Sequence, residues 1–183
     1  MSVLTSTQFD QAIASCKDIF INKMRDYGSA WRILRVSSIT DQIFIKAQRI
    51  RSIEEKGTQR VDEGIADEYK GIINYCVIAL VQLELGTDDH HQVTLEEARK
   101  YFERHTSKAK SLMENKNHDY DEAWRKMRVS SMTDLILMKL LRVKQIEDNK
   151  GETIISEGIE ANYYDIMNYA IFALIKLDEM KAA

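Results

Sequence analysis

Aligned at an offset of 93 residues, positions 26–55 and 119–148 share 16 of 30 residues, including the phrases DYGSAWRILRVSSITD and DYDEAWRKMRVSSMTD. A one-residue insertion near Asn149 moves the offset to 94, after which positions 63–84 and 157–178 agree at 10 of 22. Fainter pairs precede the phrase: Phe9 over Phe102, Lys17 over Lys110, and Asn22-Lys23 over Asn115-Lys116. Such a duplication constrains the fold more than any short motif, because each copy must be a complete unit and both must bury the same kind of surface. The expected organisation is a first repeat over 1–86, a polar linker over 87–94 and a second repeat over 95–183, packed as one compact domain.

The chain has no proline and only 7 glycines, and it is dense in residues that tolerate helices, which predicts an all-α fold. The periodicity reads as three helices per unit. The first runs from about Thr7 to Arg25 and, in the second copy, from Leu95 to Asn117. After the DYGSAWR bend a second helix starts at Ser37 or Ser38 as N-cap and reaches Lys56; its twin covers 131–149. The third follows Asp62 or Ser156 as N-cap and ends near Leu85 or Met180. Stretches such as TDLILMKLLRV and IMNYAIFALIKL carry more apolar surface than one neighbour covers. Internally duplicated three-helix units packed about a pseudo-twofold axis answer that need: helices two and three of both copies form a four-helix core, with the first helices outside. A homodimer of such chains would satisfy the same surplus.

A formal net charge of −3 and a pI near 5.9 argue against nucleic acid as a partner. The N-terminal residues have no basic start or apolar core, and the apolar run from Ile72 is too short and polar to span a bilayer, so the expectation is a cytoplasmic protein without membrane association. Cys16 and Cys76 have no CxxC partner and read as inert thiols. His90, His91, His105 and His118 lack metal-ligand spacing and read as surface residues. The phosphate-loop, dinucleotide and α/β-hydrolase motifs are absent.

The informative charges lie where apolar residues are expected. On a helical wheel Lys46 and Arg49 sit beside Ile39, Ile50 and Ile53, and Lys139 and Arg142 interrupt an aliphatic run in the second copy. Such cations must meet carboxylates, reach water along their stems, or line a wet cleft that receives an anion. On the third helix Asp67, Gly71 and Asn74 share a stripe with Glu68 beside it, while the second copy has Ala161, Asp165 and Asn168 there. Glu63 and Glu157 lie one turn upstream, and Glu160 is additional. Interhelical ion pairs are the plain reading. Carboxylates that differ between copies, while the cations and Asn74/Asn168 persist, suit magnesium and a polyphosphate equally well.

The repeated phrase also has two readings. Trp31 and Trp124 fit core wedges, with Tyr27 and Tyr120 packed against them and Arg32, Arg35, Arg125 and Arg128 solvated. The same residues beside a helix N-terminus offer stacking surface, guanidinium forks and free N–H groups to a nucleotide or deoxynucleotide.

The pattern DYGxAWR, SSxTDxIxxKxxRI and EGIxDEYxxIINYxxxAL, complete in the first repeat and with substitutions in the second, resembles the first of the nucleotide-modification-associated domain families, once per repeat. More distantly, the paired helices with acids on the third are similar to the all-α nucleoside triphosphate pyrophosphohydrolases of the MazG and dimeric dUTPase group. That second resemblance implies magnesium-dependent hydrolysis to a monophosphate and pyrophosphate. It assigns Glu68 and Asp165 as catalytic residues and Glu63, Asp67, Glu68, Glu157, Glu160 and Asp165 as metal ligands from both halves. Lys46, Arg49, Lys139, Arg142, Tyr27, Tyr120, Arg32, Arg125, Asn74 and Asn168 then hold the nucleotide. The group's ExxE on the preceding helix is replaced here by Lys46 and Arg49, and neither third helix holds an intact ExxD. The alternative is a non-catalytic helical module that binds a nucleotide or a protein partner in the same pocket.

Overall fold

The structure, a computed structural model, describes residues 3–88 and 90–182; among them are six α-helices, two 3-10 turns and no strand. The first repeat comprises α1 (Val3–Tyr27), a 3-10 turn (Ala30–Ile33), α2 (Val36–Lys56) and α3 (Ile65–Leu85). The second repeats the order with α4 (Leu95–Tyr120), a turn (Ala123–Lys126), α5 (Val129–Asp148) and α6 (Ile159–Ala182). Helices α2, α3, α5 and α6 form the four-helix core and α1 and α4 pack outside it. No helix is long and apolar enough to cross a membrane among the described residues.

The bend between α1 and α2 needs the left-handed backbone region. Gly28 supplies it with φ 62° in the first copy, at no steric cost. The second copy adopts it with two side-chain-bearing residues, Asp121 at φ 47° and Glu122 at φ 54°. Glu122 is held there by Thr5, whose hydroxyl donates at 2.6 Å, and by Arg125 Nε at 3.0 Å.

The caps differ from those the sequence suggests. Arg35 and Arg128, not the serines, occupy the N-cap positions of α2 and α5, with no side-chain cap bond. The chain leaves the 3-10 turn extended and enters the helix at once, so Ser38 and Ser131 already donate to the Arg35 and Arg128 carbonyls, at 3.0 and 3.1 Å. Asp62 and Ser156 also lie too early. α3 starts after Gly64, whose N–H donates to the Asp67 carboxylate at 3.1 Å.

The pseudo-twofold relation is visible in reciprocal contacts, the mark of an isologous interface. Lys17 pairs with Glu103 at 2.6 Å and Lys110 with Asp10 at 2.7 Å, joining α1 to α4 twice. Lys144 meets Asp41 at 2.7 Å as Arg51 meets Asp134 at 3.8 Å. Between them, two buried hydroxyl chains cross the core. Tyr163 and Thr40 lie 2.5 Å apart and Thr40 donates to Glu147 at 2.8 Å; Tyr69 and Thr133 lie 2.6 Å apart and Thr133 donates to Glu54 at 3.1 Å. Around these chains Ile39, Ile43, Ala47, Ile50, Ile136, Leu140 and Val143 are fully buried.

Both cysteines are buried and free, with burial pushing the Cys16 thiol up to about 12. His105 is not a surface residue. It is buried beside α6, 2.7 Å from the Tyr164 hydroxyl, and burial lowers its pKa against the opposing pull of Glu84.

Half-burial of Glu54 and Glu147 raises both carboxyl pKa values above the usual 4.5, outweighing the threonine hydrogen bonds that favour the charged forms. The folded protein therefore binds protons more tightly than the unfolded chain at these sites. Their stabilising effect is full below 4.5 and is lost as pH rises through the raised folded values. Urea unfolding across this range should show Glu54→Gln/Glu147→Gln gaining stability over the parent as pH increases, with the difference levelling off once both carboxyls are ionised.

Candidate functional site

Each repeat holds its own cleft, walled by its first helix, the 3-10 turn and its third helix. The first has a volume of about 540 Å³ and the second about 340 Å³. Their linings correspond: Lys23 and Lys116, Tyr27 and Tyr120, Trp31 and Trp124, Asn74 and Asn168, Tyr75 and Tyr169. The two clefts are copies within the repeats, not one hollow shared between them.

At each cleft sit two buried polar atoms without a hydrogen-bond partner, Asn74 Oδ1 with Trp31 Nε1 and Asn168 Oδ1 with Trp124 Nε1. The amide orientations are fixed from behind, since Asn74 Nδ2 donates to the Cys16 carbonyl at 3.1 Å and Asn168 Nδ2 to the Ala109 carbonyl at 3.0 Å. A flipped amide would set oxygen against oxygen. Each cleft thus keeps an unused acceptor and an unused donor, at a cost of roughly 1–3 kcal/mol per atom while unpaired.

The charges are arranged differently in the two copies. In the first, Glu68 is 4% exposed and takes both Lys46, at 3.2 Å, and Arg49. To reach Glu68 the Lys46 stem crosses Gly71, where a Cβ would lie 2.9 Å from its Cε. In the second copy Asn162 stands in place of Glu68 and donates to the Gly158 carbonyl at 2.9 Å. The carboxylate has moved one turn along the helix to Asp165, which receives Lys139 and Lys116, each at 2.6 Å. Burial alone would raise the Asp165 carboxyl; the two lysine hydrogen bonds outweigh it and hold the group below its usual value. The ion pair survives in both copies through different columns of the alignment.

Several expected site residues are committed elsewhere. Arg32 is 1% exposed and donates to the carbonyls of His91 at 3.1 Å and Gly86 at 2.7 Å and to the Gln82 side chain, fastening the C-terminus of α3 to the bend. Arg125 bonds Glu122, Glu179, Thr5 and Gln8. Both guanidiniums are engaged by protein partners. Arg142 is exposed, and Glu157 and Glu160 are also exposed, with Glu160 taken by Lys108 at 2.6 Å. Of the expected residues, the first cleft gathers Tyr27, Lys46, Asn74, Glu63 and Asp67, and the second Tyr120, Asn168 and Asp165. Lys23, Lys70 and Lys116 were not anticipated; the Asn-Lys pairs preceding the repeated phrase were the available signal for the first and last.

No group of three or more His, Cys, Asp or Glu side chains suited to a metal is formed among the described residues. The composite site drawn from both halves is therefore not assembled, because Glu68 and Asp165 each turn to two cations of their own repeat. What remains is Glu63 and Asp67 at the first cleft, too few for an all-protein cage but the usual number when magnesium arrives on phosphates.

A duplicated all-α protein with one aromatic, lysine-bearing cleft per repeat is the class that these features define. The chain belongs to the nucleotide modification associated domain 1 family, whose profile matches it twice, at residues 23–83 and 116–177. Each match spans the bend and helices two and three, and each begins at a cleft lysine, Lys23 or Lys116. No curated protein and no solved structure matches the chain.

Removing the Glu68 charge should destabilise the fold without dismantling it. The Lys46 and Arg49 side chains keep 26% and 25% of their exposure and can turn to water. Glu68→Gln is accordingly expected to cost about 1–2 kcal/mol in denaturant unfolding, less than the 3–5 typical of a fully buried pair.

Proposed function

We propose that the chain is a nucleotide-binding module whose ligand enters the first cleft. The observation that carries this reading is that Asn74 Oδ1 and Trp31 Nε1, on two residues lining a cleft edged by lysines, are buried without a hydrogen-bond partner. Every nucleobase presents a hydrogen-bond donor next to an acceptor, which is the complement such a pair requires. Tyr27, Trp31 and Tyr75 supply aromatic surface, and Lys23, Lys46 and Lys70 supply positive charge for phosphate oxygens. Lys23 is exposed and Lys70 half-buried, and among the described residues no hydrogen bond or ion pair ties either one to a carboxylate. Family membership supports a role connected with nucleotide modification.

Calorimetry with the four deoxynucleoside monophosphates tests the reading. At least one should bind, and Lys23→Ala/Lys70→Ala should weaken it about tenfold or more, since two charge-assisted contacts each contribute roughly 1 kcal/mol or above. Unchanged affinity in that variant would remove the phosphate from this cleft.

The presence of Glu63 and Asp67 at the same cleft favours a second reading, a magnesium-dependent (deoxy)nucleoside triphosphate pyrophosphohydrolase. Those two carboxylates would hold the metal together with the ligand's phosphates, and the metal would supply electrophilic assistance at phosphorus. On this reading pyrophosphate release from a panel of nucleoside triphosphates requires magnesium and is abolished by Glu63→Gln/Asp67→Asn. Binding without release leaves the module.

A further inference from the structure

Among the differences between the two clefts, two have a common sense. Where the first cleft has Gly71 and Ile78, the second has Asp165 and Phe172. Phe172 lies flat on Trp124, ring centroids 4.2 Å apart and planes within 5°, while no ring stacks on Trp31 among the described residues. Asp165 bridges Lys116 and Lys139, the counterparts of Lys23 and Lys46. An aromatic ring on the tryptophan and an anion between two lysines are the two things the first cleft lacks.

We infer that the second repeat is a self-occupied copy of the site, in which Phe172 takes the place of a bound base and Asp165 that of a bound phosphate. The inference rests on the nucleotide reading of the first cleft and deepens it. One consequence is stoichiometry: the chain takes one nucleotide, in the first repeat. Another is the pose. The ligand's ring lies against Trp31 on the Ile78 side, and its anionic group sits over Gly71 between Lys23 and Lys46, with Lys46 leaving Glu68 to meet it. Arg49 remains with Glu68, so the departure leaves that buried carboxylate paired. The smaller volume of the second cleft agrees with its partial filling.

The chain has 2 tryptophans, one per cleft, so each indole N–H is a private reporter. A nitrogen-15-labelled chain titrated with each deoxynucleoside monophosphate should shift the Trp31 indole resonance and leave that of Trp124 in place until at least about tenfold higher concentration, a gap of 1.4 kcal/mol. Asp165→Gly/Phe172→Ile, which removes the stacked ring and the bridging carboxylate from the second cleft, should bring the Trp124 resonance into the same range. In the opposite direction, Gly71→Asp should silence the Trp31 response at unchanged thermal midpoint, because the atoms in its way are the flexible end of Lys46. Equal responses of both indoles in the parent chain would overturn self-occupancy and leave nucleotide binding standing. So would a Trp31 response that persists in Gly71→Asp, or a Trp124 that stays silent in a folded double variant. Silence of both indoles with every nucleotide would overturn the underlying reading and the inference together.

Discussion

Two buried hydroxyl chains, Tyr163 to Thr40 to Glu147 and Tyr69 to Thr133 to Glu54, set how the halves of this protein meet. The helices around them are apolar over so much of their surface that hydrophobic burial alone would accept many rotations and slides. A buried tyrosine must find its partner, and here each half holds the partner of the other's tyrosine. That requirement selects one register. It also fixes which faces of α3 and α6 are turned away from the partner repeat. Those faces, with Asn74 and Asn168 on them, become the back walls of the clefts, so the geometry of each site follows from a contact made on the opposite side of its helix.

Much of the fold was legible because a duplication reports its own core. Aligning the copies brings Ile43 over Ile136 and Ile72 over Ile166, all four fully buried, and an apolar position kept through divergence marks the shared interior. The site was legible only in part. Column-by-column comparison suggested that carboxylates opposite the lysines had no constant structural partner, yet a lysine stem is long enough to serve a carboxylate at either of two successive turns. Glu68 and Asp165 therefore do the same electrostatic task from different columns. Arg32 misled for another reason. A guanidinium in an exposed-looking polar phrase is buried here against the Gly86 carbonyl at the end of α3, where the helix dipole is negative, and against the His91 carbonyl of the linker, and sequence spacing does not show that environment. His105 likewise depended on a tertiary neighbour, Tyr164, 59 residues away in sequence.

The unpaired atoms are the other product of the duplication. Four buried side-chain polar atoms without a hydrogen-bond partner among the described residues form the same asparagine and tryptophan pair twice. A packing fault has no reason to recur at equivalent positions after the surrounding residues have changed from Met24 to Asn117, Leu34 to Met127 and Ile78 to Phe172. Its recurrence makes the pair a property of the fold that the two repeats share.

The outer helices have a bearing on how such a site is entered. α1 and α4 each form a wall of a cleft, and the reciprocal ties between them, Lys17 with Glu103 and Lys110 with Asp10, each have a carboxylate more than half exposed. Ties of this kind weaken as mobile ions screen them, while the apolar four-helix core does not respond in the same way. The outer edges of the cleft walls thus answer to the ionic strength of the surrounding solution, while Phe9, Cys16, Phe20 and Phe102 on their inner faces belong to the same apolar core as the base.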